Sequence, residues 1–183
     1  QQARQHHQPM ITSETVRNVL NFVLFQAGWF ACVLYPGLPV TALALGLFMV
    51  HMLLVSQKRF SELQFIGVGV VLGGLLDTLW FRLGILGIPG IEEIAVVPPW
   101  LVAIWALFMT TLCHSLAWIG QHRWLPFVLA PFAGALAYWS AAKLGAVTLP
   151  DTALSVAAIA LGWLVIFPLL LFIRKSLYTE LEP

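Results

Sequence analysis

Apolar residues fall in six runs along the chain, at residues 18–35, 38–56, 63–83, 99–119, 124–142 and 153–173, separated by short polar, Gly- or Pro-bearing breaks. Each run has roughly the 20 residues a helix needs to cross a hydrocarbon core about 30 Å thick, so the pattern predicts six transmembrane helices. Thr12-Ser13-Glu14 supplies capping chemistry ahead of the first run, and Pro36-Gly37 ends it. The second run follows after so short a turn that its helix returns antiparallel to the first, and Gln57-Lys58-Arg59 closes it. Gly67, Gly69, Gly73 and Gly74 give the third run a small-residue face that another helix can approach closely, the expected packing centre. Pro98-Pro99 opens the fourth run, as proline is tolerated in a first turn, and Trp100, Trp105 and Trp118 mark its ends and flank. Pro131 and Pro168, inside the fifth and sixth runs, each free a carbonyl and are expected to bend their helices.

The breaks carry little material. Residues 84–97, with Glu92 and Glu93, form the longest loop and have the composition of a short surface-lying piece. Residues 1–17 read as a disordered polar leader, in which His6 and His7 are solvated side chains rather than a metal pair. Residues 18–175 are then the membrane domain, and residues 176–183 a tail. No internal repeat is evident, so an inverted-repeat transporter has no direct support.

Composition agrees with the pattern. Of 183 residues, 60% are hydrophobic and 9% charged, and the mean hydropathy is +0.90, far beyond ordinary soluble usage. With short connections there is no room for a soluble catalytic or nucleotide-binding domain, so any activity lies in or beside the bilayer. A formal net charge of +1 without a basic stripe excludes nucleic acid as a partner. Eight Trp and twelve Phe suit a lipid-facing surface, which makes membrane lipids the first expected partner. Cys32 and Cys113 lie at different depths, which reads as packing rather than a disulfide.

Charge also sets a direction. Under the six-helix reading Arg4, Arg17, Lys58, Arg59, Arg123, Arg174 and Lys175 fall on one side, and only Arg82 and Lys143 on the other. Positive charge is retained in the cytoplasm, so both termini and the loops after helices two and four of this multi-pass protein are expected there. The Glu92–Glu93 loop and the segment from Lys143 to Asp151 then face outward.

Ionisable groups inside a span cost roughly 2.5–3.5 kcal/mol on insertion scales, so each needs a partner or a purpose. At about 1.5 Å per residue, His51 and His114 both lie about 9 Å in from the cytoplasmic helix ends. Asn21 is slightly shallower and Gln26 slightly deeper; Thr110, Thr111 and Ser115 flank His114, and Glu62 stands at the cytoplasmic edge of helix three. Asn21, Gln26, His51, Glu62, His114 and Ser115 form a candidate polar layer. Its functional readings are a proton relay, a metal or haem site on His51 and His114, or the head-group pocket of an enzyme acting on a lipid or quinone. Its plain reading is interhelical hydrogen bonding. Asp77 lies about 21 Å in, at the depth of Trp105 and Tyr138. It is read either as half of an ion pair with Arg82 or Lys143, or as a protonatable carboxylate. No phosphate loop, paired-Cys motif, nucleophile elbow or histidine box occurs, which excludes a standard di-iron desaturase.

The run from Asn21 through Gln26 to Trp29, with His51, Glu62 and Asp77, resembles a bacterial inner-membrane family known as domain of unknown function 2878. Pro99-Trp100, Trp105, Phe108, the stretch from Thr111 through His114-Ser115 to Trp118, Gly134, Tyr138 and Lys143-Leu-Gly145-Ala146 extend the resemblance over Asn18 to Lys175. It implies a small integral membrane protein and carries over no catalytic residue, metal or cofactor. It also tilts the reading toward envelope lipid metabolism. The favoured function is a non-catalytic subunit or scaffold, which asks least; the alternatives are a small enzyme or cofactor-binding protein working on a lipid-soluble substrate at the His51/His114 layer, and then a proton-coupled transporter using Asp77 and the layer as stations. The first expects another membrane protein as partner, the third a homodimer. The second requires the two histidines to converge on a cavity.

Overall fold

The structure, a computed structural model, describes residues 11–183, and the expected leader therefore lies largely outside the described residues. Six α-helices follow one another: α1 (Glu14–Leu34), α2 (Leu38–Leu54), α3 (Arg59–Arg82), α4 (Pro99–Thr111), α5 (Leu125–Lys143) and α6 (Thr152–Leu177). No strand occurs among the described residues. Ser13 caps α1 by accepting from the Val16 amide at 3.4 Å, and Asp151 caps α6 from the Leu154 amide at 3.3 Å. Gly37 begins α2 with φ 153°, a backbone turn that lets the chain reverse in three residues. Four helices, α1, α3, α5 and α6, are long and apolar enough to cross a membrane; α2 and α4 are shorter. Outward-facing side chains are apolar, with Phe132 74%, Val165 67% and Phe172 64% exposed, while His51, Glu62 and Asp77 are buried. Such an inverted surface belongs to a membrane protein.

Helix α4 is the hub. Nine of its thirteen residues are buried, and it packs on α1, α2 and α3. The glycine face of α3 works here only in part: a Cβ on Gly69 would overlap Met109 and one on Gly73 the Trp105 ring, whereas Gly67 faces open space. Stacked Trp105 and Trp163 rings, 5.2 Å apart, join α4 to α6, and Gly134 of α5 gives the Trp163 ring its room. Both α5 and α6 run on through Pro131 and Pro168. Along their length α1 and α5 do not pack on each other, and this leaves a lateral cleft floored by α4.

Two elements differ from the sequence-based expectation. Helix four ends at Thr111 and not at 119; the chain then turns and re-forms as a 3-10 turn over Ala117–Gln121. Thr110 and Thr111 bond back to the Leu107 and Phe108 carbonyls at 2.5 and 2.6 Å, diverting acceptors from the helix ladder. Irregular backbone at this depth persists only where its polar groups find protein partners. Arg174, 1% exposed, supplies them: its guanidinium donates to the Leu112 carbonyl and, at 3.3 Å, to that of Ala117. The C-terminal residues are the second difference. Read from the sequence only as a tail, they form a 3-10 turn at Thr179–Leu181, folded back so that Leu181 is buried, Tyr178 lies 5.7 Å from the Phe65 ring, and Glu182 pairs with Arg174 at 3.0 Å. The loop after α3 is likewise anchored: Gly87 and Thr148 exchange backbone hydrogen bonds of 2.9 and 2.8 Å, tying it to the segment after α5.

Candidate functional site

At the end of the bundle where α2 leads into α3, four elements contribute polar groups to one point. His51 sits in the last turn of α2 and Glu62 in the first turn of α3, which begins four residues earlier than the apolar run. Asn21 comes from the buried face of α1, and His114 and Ser115 from the segment that breaks away from α4. His51 Nε2 lies 2.5 Å from Glu62 Oε2, and His114 Nε2 lies 2.6 Å from Oε1 of the same carboxylate. The two imidazoles meet edge to face with centroids 5.0 Å apart. The break in α4 is what allows this, because it turns His114 off the helix and toward Glu62.

Proton positions follow from the partners. The Thr110 hydroxyl is committed to donating to Leu107, so it accepts from Asn21 Nδ2 at 2.9 Å. Ser115 donates to Asn21 Oδ1 twice, from its backbone N–H at 3.2 Å and its hydroxyl at 2.6 Å. A backbone N–H cannot reverse its role, so the Asn21 amide is fixed with Nδ2 toward His51 Nδ1, 3.3 Å away. That ring nitrogen accepts, and the proton of neutral His51 sits on Nε2 and is donated to Glu62. Glu62 receives a second bond from His114 Nε2. His114 Nδ1 makes no hydrogen bond among the described residues, yet it is not sealed from solvent as the Ser56 and Ser155 hydroxyls are. His114 and Glu62 line a cavity of about 140 Å³ whose walls include Arg17, Lys58 and Cys113 and which the folded-back Glu180–Pro183 segment borders. Lys58 donates to the Glu180 carbonyl across its rim.

The three side chains also present one ligand atom each within 4.8 Å of one another, the count expected of a two-histidine, one-carboxylate metal centre. The fit is incomplete. A histidine that binds metal through Nε2 carries its proton on Nδ1 and gives it to an acceptor. Here Asn21 presents a donor to that nitrogen.

These residues and the whole predicted layer lie within residues 18–169, which match the family model described as protein of unknown function, DUF2878. The chain belongs to this family. No curated protein and no solved structure matches it.

In this DUF2878 protein the remaining predicted residues go elsewhere. Gln26 is not part of the cluster; one turn beyond Asn21, it points into the lateral cleft and lines it. Asp77 is not half of an ion pair. Its carboxylate accepts from Trp105 Nε1 at 2.7 Å and from the Tyr138 hydroxyl at 2.6 Å, while Arg82 donates to the Ala95 carbonyl and Lys143 lies over the Trp139 ring. The predicted neighbours of Asp77 are thus its partners, and together they join α3, α4 and α5. Cys32 and Cys113 are free thiols. Sequence reasoning missed Arg174, which read as a flanking cation at the end of an apolar run; its only signal was its place inside helical periodicity, before the polar tail.

Proposed function

We propose that the chain is a six-span protein of the bacterial inner membrane with both termini in the cytoplasm, and that it works as a small membrane enzyme whose general base is His114. The observation that carries this reading is the chain of fixed donors and acceptors, Asn21 to His51 to Glu62 to His114, which ends on one imidazole nitrogen that has no partner among the described residues, on a side chain that lines a cavity. Glu62 holds Nε2–H of His114 and stabilises the imidazolium formed when Nδ1 takes a proton from substrate, the logic of any carboxylate-oriented histidine base. His51 and Asn21 are positioning residues that keep Glu62 in place. A scaffold needs no such arrangement, and a simple interhelical bond needs only one of these contacts. The lipid extracts of cells producing wild type, His114→Ala or the exposed-loop variant Glu92→Gln provide the test. A lipid species that changes with wild type and Glu92→Gln but not with His114→Ala is expected; identical extracts for wild type and His114→Ala overturn the reading.

A metal centre is the second reading, favoured by the clustering of three ligand atoms within 4.8 Å. Elemental analysis of the protein purified in mild detergent separates the two. One transition-metal ion per chain, lost in both His51→Ala and His114→Ala, would replace the base with a metal.

A further inference from the structure

The lateral cleft encloses about 370 Å³, a volume within the range of small-molecule pockets, and its lining is almost wholly apolar. Its α1 wall is Phe22, Phe25 and Trp29, and its α5 wall carries Ala133 and Ala137, one turn apart on the same face. Small residues on one helix normally let a second helix close against it. Here they face bulky aromatics across a gap that stays open toward the exposed side chains of Phe22 and Leu136. The opening therefore gives onto hydrocarbon.

Its dimensions select an occupant. From Phe22 to Val33 the cleft extends about 16 Å along α1, so the centre of a water molecule has a mean section of about 22 Å² to move in, which is a slot of roughly 50 Å² once the molecule's own radius is added, against roughly 80 Å² for a helix about 10 Å across. A partner helix or a second copy of this chain does not enter such a slot; a single hydrocarbon chain does. The two cavities also lie end to end. Asn18 borders the His114 cavity and Phe22, one turn on along the same face of α1, borders the slot; in the segment after α4 the consecutive residues Ala117 and Leu116 border the cavity and the slot respectively.

We infer that the slot between α1 and α5 holds one hydrocarbon chain of a membrane amphiphile, and that the polar head of that molecule reaches the His114 cavity. The substrate class is therefore a lipid bearing at least one extended chain, presented from within the leaflet. Placement of the chain stands on the slot alone; placement of the head rests on the reading of His114 as the base.

The test uses the full chain in phosphatidylethanolamine vesicles doped with a palmitic acid carrying a mid-chain diazirine, photolysed and mapped by peptide mass spectrometry. Slot residues such as Trp29, Ile104 and Ala137 are expected to be labelled in wild type and in His114→Ala alike. Ala137→Phe, which fills the slot, is expected to cut that labelling at least fivefold while leaving labelling at the outward-facing Val165 and Phe172 unchanged. Labelling of the outer faces only, or slot labelling that Ala137→Phe does not reduce while its melting temperature matches wild type, overturns the inference. Should Ala137→Phe fail to fold, Ala133→Leu, which narrows the slot from the same face, takes its place with the same expected loss. Slot labelling in a protein whose His114→Ala variant leaves cellular lipids unaffected would keep the chain site and remove the chemistry at its head.

Discussion

The carbonyl oxygen and both amide hydrogens of Asn21 are engaged: Ser115 holds the oxygen, Thr110 and His51 the hydrogens. One atom swapped at this side chain changes the protonation of another residue without altering packing. Asn21→Asp places an acceptor where His51 Nδ1 now meets a donor, and because Nε2 already faces the Glu62 carboxylate, both ring nitrogens of His51 then meet acceptors and both carry protons. Nitrogen-15 spectra of histidine-labelled protein should show His51 as the Nε2–H tautomer in wild type and as the doubly protonated ring in Asn21→Asp. The same variant acquires the donor set that a divalent transition metal requires, so it should bind zinc at least tenfold more tightly than wild type does. An Nδ1–H tautomer already present in wild type would remove the proton assignment and restore the metal centre. Sequence alone placed His51 and His114 in one layer by counting helical rise. It had no means of choosing their protons, because these are set by Thr110 and Ser115, neighbours whose roles depend on where α4 breaks.

Helix α3 shows how one motif divides by context. Its glycines were legible as a close-packing face, but a face extends around a helix, and the partner covers only part of it. Gly73 lies under the Trp105 ring, which also donates to Asp77, whereas Gly67 meets nothing within 4 Å. Gly73→Ala must push aside a ring fixed at its far end and is expected to cost about 1–3 kcal/mol. Gly67→Ala adds a methyl in open space and removes backbone freedom from the unfolded helix, so it should stabilise by up to about 1 kcal/mol. Thermal unfolding in detergent, followed by far-ultraviolet circular dichroism, should therefore shift in opposite directions for the two variants. Equal losses would mean that the glycine face is buried on both sides. The end of α4 was not legible for a related reason. The run from 112 to 119 is apolar enough for a helix, and beyond the local back-bonding of Thr110 and Thr111 what unwinds it is long-range: Asn21 and Glu62 draw Ser115 and His114 off the axis, and Arg174, sixty-two residues away from Leu112, satisfies the released carbonyls.

At the scale of the whole molecule, the six apolar runs and the six helices coincide to within four residues at every end except the broken end of α4, because in a membrane the run and the helix are the same physical object. The runs did not recover the folded-back C-terminal turn, whose polar composition is that of any tail and whose order comes from Arg174, Lys58 and Phe65. The number of crossings is the remaining quantity on which the proposed enzyme depends. As a continuous helix α4 spans only about 20 Å of a hydrocarbon core about 30 Å thick, so a crossing at α4 requires residues 112–121 to complete the passage inside the protein. If they do, Glu92 and Arg123, both exposed, lie on opposite sides of the membrane. Against a Cys113→Ser background, with Cys32 buried and silent, a membrane-impermeant maleimide added to intact spheroplasts should label Glu92→Cys and leave Arg123→Cys untouched until the membrane is opened. Reversed labelling would put His114 and its cavity outside the cell and detach the site from cytoplasmic substrates. Labelling of both positions from outside would mean that α4 enters and returns on one face. Arg174 would then cap a re-entrant loop.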